Sequence, residues 1–220
     1  EKPGAAARDK VRLAMEDWAA PIHHEMLAAY NSARAFLRVT PGMAMPALGN
    51  LQPVGPIAAL GTARDLSLGA ARGVLVSMGG IAHRLPVERW PRLPGIRWIV
   101  PDDWQCKHPD AIAQESFGQP FTDLLCSVDA VVTKPGYGTF SEAACNGTPV
   151  IYQRREDWPE QDCLIDWLGQ HGRAVEIDAA QLARGDLSAA LSRLRVAPAA
   201  QKPTPDGISQ AAGQLIRLAG

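Results

Sequence analysis

The stretch that most limits what this chain can fold into is residues 129–149, DAVVTKPGYGTFSEAACNGTP. Its first part, AVVT, is a short apolar run bounded by turn-forming residues, which is typical of a buried strand. The KPGYG segment that follows cannot extend this strand. Pro135 has no N–H, and Gly136 and Gly138 permit positive φ and the close approach of another group. The stretch therefore predicts a strand, a glycine turn and then a helix.

The helix of this stretch carries signals at both ends. Thr139 and Glu142 fit a capping box, in which a threonine at the N-cap and a glutamate at N3 satisfy two N–H groups of the new helix. Asn146 and Gly147 are a C-cap signal, so the predicted helix is short. A glycine turn that leads into a helix amino terminus presents free N–H groups and the positive end of the helix dipole to one point. We therefore expect an anion to bind beside the glycine turn.

Strands and helices alternate through most of the chain. Predicted strands cover residues 74–78, 96–100, 111–115, 130–133, 150–152 and 174–177, and predicted helices cover 120–127, 160–170, 182–194 and 208–218, besides the helix after the glycine turn. Near-continuous apolar strands that alternate with helices predict a Rossmann-like, doubly wound α/β domain with helices on both faces of a parallel sheet. Ligands of such sheets bind at the carboxyl ends of the strands. Gly79 and Gly80, the 136–138 turn and the segment after Tyr152 all fall at such ends.

The amino-terminal part of the chain follows a different pattern. Residues 10–35 carry apolar side chains at three- and four-residue spacing, which predicts a helix that Pro21 kinks or splits. A short strand at 36–39 and an extended linker through the four prolines of 41–56 follow. Because an exposed apolar stripe of this length is a sticky surface, we expect the helix to fold back on the sheet or to pair with a second copy in a homodimer.

The composition narrows the classes of protein to which the chain can belong. A net charge of -1 and a pI near 6.6 argue against a nucleic-acid partner. The four cysteines form no C-x-x-C pair, which predicts reduced thiols in a cytoplasmic protein, without disulfides or a zinc site. The sequence shows no apolar run near ~18 residues and no signal peptide at Glu1, so no membrane span is expected. Asp102 and Asp103 are interpreted as turn residues, and no metal site is predicted.

A longer segment around the glycine turn resembles a known family. TKPGYGTFSEAACNGTPVIYQRREDWPEQ is similar to the donor-site motif of GT-B glycosyltransferases, and it is closest to the branch that includes the N-acetylglucosaminyltransferase forming lipid II. The resemblance covers roughly residues 70–218, while residues 10–60 are similar to the end of the preceding acceptor domain. It implies that residues 1–69 are the end of the acceptor domain with the interdomain linker. Residues 70–220 would then be the C-terminal domain that binds a nucleotide-sugar donor.

The resemblance implies roles at the nucleotide end of the donor site. Glu142 would hold the ribose hydroxyls with its carboxylate. Thr139 and the backbone of Gly138 would face the diphosphate. Gly79 and Gly80, after the first strand of the sheet, would let backbone N–H groups approach the phosphates.

The remaining roles concern the sugar and the base. Glu160 and Gln161 match the acidic residue and glutamine that contact hydroxyls of the donor sugar, and the base would lie near Ser116 and Phe117. The donor-binding residues implied in this way are Gly79, Gly80, Phe117, Lys134, Gly136, Tyr137, Gly138, Thr139, Glu142, Glu160 and Gln161.

Several of these residues have a purely structural alternative. Glu142 could serve only the capping box, and a glycine pair after a strand is common in the absence of any ligand. Lys134 could be a solvated charge at the end of a strand. Glu160 and Gln161 could simply begin a helix whose dipole favours an acidic residue there.

The function implied by the resemblance is that of the donor-binding half of a hexosyltransferase. It would bind a UDP-sugar and, when joined to its acceptor domain, transfer the sugar to the hydroxyl of an unknown acceptor. The family's catalytic base comes from the acceptor domain, so no catalytic residue is assigned and this chain alone is expected to be inactive. No cofactor is expected besides the substrate. A sugar-nucleotide epimerase or hydrolase of the same fold, and a non-catalytic partner subunit of a glycosyltransferase, stay open as alternatives.

Overall fold

The protein is an α/β structure built on a parallel sheet, and a computed structural model describes its residues 19–80, 83–156, 158–198 and 200–219. The strands are β1 (Phe36–Val39), β2 (Leu51–Val54), β3 (Arg72–Val76), β4 (Ile96–Val100), β5 (Ala111–Ala113), β6 (Ala130–Thr133), β7 (Val150–Gln153) and β8 (Ala174–Ile177). The helices are α1 (Ala19–Ser32), α2 (Phe121–Ser127), α3 (Tyr137–Asn146), α4 (Gln161–His171), α5 (Ala179–Arg184), α6 (Ser188–Val196) and α7 (Gly207–Ala219). Strands β3 to β8 pair in parallel in one sheet, which confirms the predicted doubly wound class.

The order of strands in the large sheet places a crevice at its centre. The order is β5-β4-β3-β6-β7-β8, so the chain moves outward from β3 to β5, returns to the other side of β3 at β6, and moves outward again to β8. β3 and β6 lie side by side, with Val76 opposite Val132. In open α/β sheets, ligands bind outside the carboxyl ends of the two strands at which the order reverses. That point lies here between the segment after β3 and the segment after β6.

Alternate residues of each strand pack on opposite faces of this sheet. Val74 and Val76 belong to a cluster on one face that includes the fully buried Trp98, whereas Leu75 packs on the other face with Phe140. Since Phe140 belongs to α3, its burial fixes the start of that helix against the sheet.

A second, small sheet precedes the large one, and it corrects one sequence prediction. β1 was predicted, but the extended linker predicted at residues 41–56 contains a second strand, β2. The two strands pair in parallel, with Phe36 opposite Leu51. Pro53 hides this strand from pattern analysis, since proline has no N–H for a ladder. β2 tolerates it because it has a partner on one side only within the described residues, so the missing N–H costs no pairing.

The segment predicted as one helix at 182–194 is two helices, α5 and α6, so that prediction is wrong. Gly185 ends α5 in the left-handed region with a φ of 67°, and a Cβ at this position would overlap Trp90. Asp178 and Gln181 form a capping box at the start of α5. Most other predicted elements match the observed ones within about two residues at either end.

Helix α1 covers only part of the predicted 10–35 helix, because residues 10–18 lie outside the described part of the chain. All of α1 is at least partly exposed, and its apolar residues Ile22 and Met26 are 53% and 45% exposed. The expected folding of this stripe onto the sheet is therefore not observed for α1, and pairing with a second copy stays a prediction. Among the described helices, not one is long and apolar enough to cross a membrane.

Residues 55–64, which we call the strap, connect the small sheet to the large one. They run across α2, where Thr62 N–H donates to the Asp123 carboxylate at 2.9 Å and Arg64 N–H donates to the Ser127 hydroxyl at 2.8 Å. Asp123 also pairs with the Arg64 guanidinium at 3.2 Å, and the pKa of its carboxyl is lowered, first by the Thr62 N–H and then by Arg64. The strap is thus attached to α2, which packs on the large sheet.

Helix α7 brings the carboxyl-terminal part of the chain back to the small sheet. Its Gln210 side chain accepts a hydrogen bond from Gly55 N–H at 2.7 Å, and Gly207 N–H donates to the Pro56 carbonyl at 3.0 Å. A Cβ at Gly207 would overlap the Gly55 carbonyl oxygen. The start of the strap and the start of α7 therefore touch through their backbones.

The close passage of the strap over α2 gives a stability prediction. A Cβ at Gly61 would overlap the carbonyl of Thr122, so Gly61→Ala should lower the free energy of unfolding by about 1–3 kcal/mol, as is usual for overpacking. Gly169→Ala is the matched control, because a Cβ there would meet no described atom within 4 Å. That change, on an exposed face of α4, should stabilise by up to ~1 kcal/mol. Urea unfolding of both variants measures the difference, and equal effects would mean that the strap does not pack closely on α2.

Candidate functional site

The candidate site lies at the carboxyl ends of β3 and β6. Gly79 and Gly80 follow β3, and both are exposed; Gly79 has a φ of 70°, which favours glycine. Gly80 and Gly138 do not have positive φ, and a Cβ on either would meet no described atom within 4 Å. Neither backbone strain nor packing against the described residues requires glycine at these two positions. Their open faces leave room for a ligand to approach the backbone.

Helix α3 begins at the glycine turn, three residues earlier than the capping box predicted. Its N-cap is Gly136 in an extended conformation, and no described side chain accepts a hydrogen bond at this end. Thr139 therefore lies inside the first turn and Glu142 in the second, so the predicted capping box is wrong. The physical reason is that the Gly136 carbonyl already accepts the first hydrogen bond of the helix, from Phe140 N–H at 3.1 Å, so that Tyr137 and Gly138 are helical.

The first turn of α3 consequently keeps N–H groups for another partner. The leading N–H groups of any α-helix have no acceptor within the helix. Here they belong to Tyr137, Gly138 and Thr139, and Gly138 is exposed. With the positive end of the helix dipole, they form a place that favours an anion.

Lys134 stands at the end of β6, immediately before this turn. Its pKa is lowered, chiefly by partial burial and secondarily by the positive charge of Arg155, which follows β7. Arg155 was not among the residues that the sequence singled out. The only signal for it was its place just beyond a strand end, which many surface residues share.

Glu142 is partly buried below the strap. Burial raises the pKa of its carboxyl, and a hydrogen bond from the Ala59 backbone partly offsets this. Its capping role is excluded by the start of α3, and its predicted contact with ribose stays a prediction. A carboxylate held partly away from water is a stronger hydrogen-bond acceptor for a ligand than a fully solvated one.

Side chains of helix α3 also form hydrogen bonds to the strap, and the sequence did not predict these contacts. The Tyr137 hydroxyl accepts from Ile57 N–H at 2.9 Å and donates to the Thr40 carbonyl at 3.2 Å. The buried Asn146 accepts from Gly61 N–H at 2.9 Å. Its amide nitrogen donates to the Ala59 carbonyl at 3.0 Å. Tyr137, predicted to bind the donor, therefore ties the start of α3 to the strap and to the end of β1.

The predicted sugar-binding pair lies at the start of α4. Gln161 is engaged at both ends of its amide, since it accepts from Arg155 N–H at 2.9 Å and donates to the Arg155 carbonyl at 2.7 Å. The residue shapes the loop after β7, and any contact with a sugar would use its remaining hydrogen-bonding capacity. Glu160 instead lines a groove of about 360 Å³ between β1 and the starts of α3 and α4.

This groove is mainly apolar. Its lining residues are Phe36, Leu37, Arg38, Val39, Pro41, Gly42, Met43, Met45, Ile57, Tyr137 and Glu160. It adjoins the glycine turn through Tyr137, so a molecule in the groove would lie next to the anion-favouring end of α3.

Phe117 lies farther along the same edge. It ends a 3-10 turn, Gln114–Phe117, that follows β5, and its ring packs partly against the core. β5 is separated from β6 by two strands, which corresponds to roughly 14 Å at the usual spacing of strands. The predicted base contact and the predicted phosphate contacts therefore share one edge of the sheet without touching one another.

A second cavity of about 360 Å³ opens at the opposite, amino-terminal edge of the sheet. Arg72, Arg173 and Arg195 line it, together with the carboxyl ends of α2, α3 and α6. Helix carboxyl ends carry the negative end of the dipole, which disfavours an anion. None of the predicted donor residues lies there, so the carboxyl edge is the stronger candidate.

The attachment of the strap by α3 can be tested with one substitution. Asn146→Ala removes three hydrogen bonds, to Gly61, Ala59 and the Glu142 carbonyl, and leaves the Gly61 N–H and the Ala59 carbonyl without these partners. We expect the free energy of unfolding to fall by roughly 2 kcal/mol or more. Amide hydrogen exchange at Gly61 should approach that of an unprotected amide, whereas Val131 in the sheet should quicken only in proportion to the loss of global stability. Unchanged protection of Gly61 would refute the contact.

Comparison with solved structures agrees with this architecture. The glycotransferase of kitacinnamycin is similar with a TM-score of 0.58 and 19% identity, over 87% of this chain and 60% of that chain. The spinosyn forosaminyltransferase SpnP is similar with a TM-score of 0.50 and 17% identity, over 84% of this chain and 55% of that chain. No protein-family model and no curated protein matches the sequence.

These similarities establish the fold. It is that of the Rossmann-like C-terminal domain of GT-B glycosyltransferases. The chain spans no more than 60% of the length of either of these two glycosyltransferases.

Proposed function

We propose that this chain binds a nucleotide diphosphate sugar and forms the donor-binding half of a glycosyltransferase. The observation that carries the proposal is the start of α3, where Gly138 is open, no described side chain caps the helix, and Lys134 lies just before the turn. This arrangement stands at the point where the strand order reverses. A diphosphate fits it, since both the backbone N–H groups and the lysine favour negative charge.

The same groups account for the chemistry of sugar transfer. When the bond from the sugar to the diphosphate breaks, negative charge accumulates on the leaving phosphate. Donors that are already oriented toward that charge stabilise the transition state without rearrangement. The start of α3, with the N–H groups of Gly138 and Thr139, would act in this way. The base that accepts the proton of the acceptor hydroxyl is assigned to no residue of this chain, which alone should bind the donor without turnover.

The proposal extends along the sheet edge to the rest of the donor. The base lies near Phe117, Glu142 holds the ribose, and Glu160 and Gln161 approach the sugar. Uracil is the proposed base, on the resemblance to the branch that forms lipid II. The mainly apolar groove beside Tyr137 and Glu160 adjoins the place where the sugar would lie.

The ligand class can be tested by thermal unfolding with a panel of nucleotides. UDP should raise the Tm because a ligand that binds only the native state stabilises it. Uridine, which lacks phosphates, should have a much smaller effect, and GDP and dTDP serve as controls for the base. Equal shifts with uridine and UDP would contradict a site centred on phosphate, and equal shifts with UDP and dTDP would remove the assignment to uracil.

Glu142 offers a second test, because its charge should lower the stability of the protein and raise the affinity for UDP. Its raised pKa means that burial disfavours the charged form, so Glu142→Gln should leave stability at pH 7 unchanged or higher. This advantage should vanish as the pH falls below the ordinary glutamate pKa, where the carboxyl of the unsubstituted protein is also neutral. Affinity for UDP should nevertheless fall about tenfold, since hydrogen bonds from ribose to a charged group are lost.

The measurements are calorimetric titration with UDP and urea unfolding at pH 7 and pH 4. Glu25→Gln, on the exposed surface of α1, is the matched control and should change neither quantity. Full UDP affinity in Glu142→Gln would exclude Glu142 from the donor site.

A further inference from the structure

Arg155 lies at the candidate site although it is not among the donor-binding residues that the resemblance implies. It follows β7, which pairs with β6 so that Thr133 is opposite Tyr152. Lys134 and Arg155 therefore leave neighbouring strands at the same carboxyl edge, one residue and three residues beyond this pair. The start of α3 lies at that edge as well.

The position of Arg155 is fixed by its neighbours. Both ends of the Gln161 amide bond to its backbone, at 2.9 Å and 2.7 Å. Its guanidinium carbon lies 4.1 Å from the centroid of the Trp158 ring, within the range of a cation–π contact. A guanidinium that is already oriented loses less conformational entropy when it binds a ligand.

Within the described residues, carboxylates pair with Arg154 but not with Arg155. Arg154 pairs with Asp162 at 2.6 Å and with Glu176 at 3.1 Å. Within the described residues, Arg155 has no carboxylate at ion-pair distance. It faces Lys134 closely enough to lower the pKa of that lysine, next to the larger effect of burial. Two cations that approach each other in this way are stabilised by an anion that binds between them.

We propose that Arg155 binds the diphosphate of the donor opposite Lys134 and makes the site selective for diphosphates over monophosphates. The inference rests on the proposed donor site and adds the residue that reads the second phosphate. The planar guanidinium matches two phosphate oxygens at once, whereas Lys134 supplies a single point of charge. The contact between Arg155 and Trp158 is, in this account, what keeps the guanidinium turned toward the ligand.

The experiment compares two adjacent arginines in the complete chain. Inorganic pyrophosphate, UDP and UMP are titrated calorimetrically into the unsubstituted protein and into Arg155→Gln, Arg155→Lys and Arg154→Gln. Arg154→Gln removes the same charge from the same loop, but that charge is already paired. Melting curves of all four proteins show that each is folded, and Arg155→Lys keeps a charge at the site if Arg155→Gln fails to fold.

Arg155→Gln should bind pyrophosphate and UDP about tenfold more weakly, with UMP almost unaffected, so the preference for UDP over UMP should collapse. Arg155→Lys should bind with an affinity between those of Arg155→Gln and the unsubstituted protein, and Arg154→Gln should stay within about twofold of the unsubstituted protein.

The inference is overturned if Arg155→Gln and Arg154→Gln behave alike, or if the preference for UDP over UMP survives in Arg155→Gln. If Arg155 governs pyrophosphate binding but UDP binds no more tightly than pyrophosphate, the nucleotide proposal fails and this one stands. If no anion binds the unsubstituted protein, both fail.

Discussion

The parallel pairing of β3 with β6 is the constraint on which the candidate site depends. Because Val76 is opposite Val132, the segments after both strands emerge side by side at one edge of the sheet. The return of the chain from β5 to β6 makes this the point where the strand order reverses. Gly79, Gly80 and the start of α3 come together for that reason alone, although more than fifty residues separate them in sequence.

Helix α3 serves both the site and the architecture. Its start faces the crevice without a described side-chain cap. Its body fixes Phe140 in the core, and its Tyr137 and Asn146 hold the strap. Tyr137 is the first residue of α3 and also bonds to the strap. A substitution that loosens the strap at Tyr137 should therefore also disturb the start of the helix, and affinity and stability must be measured together.

Much of the fold could be predicted from the sequence because it is encoded locally. The apolar runs of β3, β4, β6 and β8 mark strands, and the KPGYG turn after β6 marks the carboxyl edge of the sheet. β2 could not be recognised, since its strand partner is the distant β1 and its Pro53 contradicts the usual pattern. The division of 182–194 into two helices follows from Gly185, which ends the first of them in the left-handed region; this glycine is a local stop signal that the helical spacing of the segment obscured.

The sequence singled out the glycine turn, which lies where the strand order reverses, but it did not predict the local geometry around that turn. Thr139 and Glu142 match the spacing of a capping box, yet Tyr137 and Gly138 are also compatible with helix, and the packing of Phe140 favours the earlier start. Gln161 and Tyr137 have hydrogen-bond partners that lie far away in sequence or in an irregular loop. The importance of Arg155 arises from the register of β6 and β7, which a sequence alone does not give.

The chain passes between the small sheet and the large one twice, and the contact between Gly55 and Gly207 places both crossings side by side. The strap is attached to α2 and α3, while α7 packs against β2 and bonds to the strap at Gly55 and Pro56. The start of the strap and the start of α7 are therefore joined at a place that lies away from the crevice. Only glycine lets the two backbones lie so close, so a methyl group at Gly207 would separate the two connections between the sheets without touching the crevice.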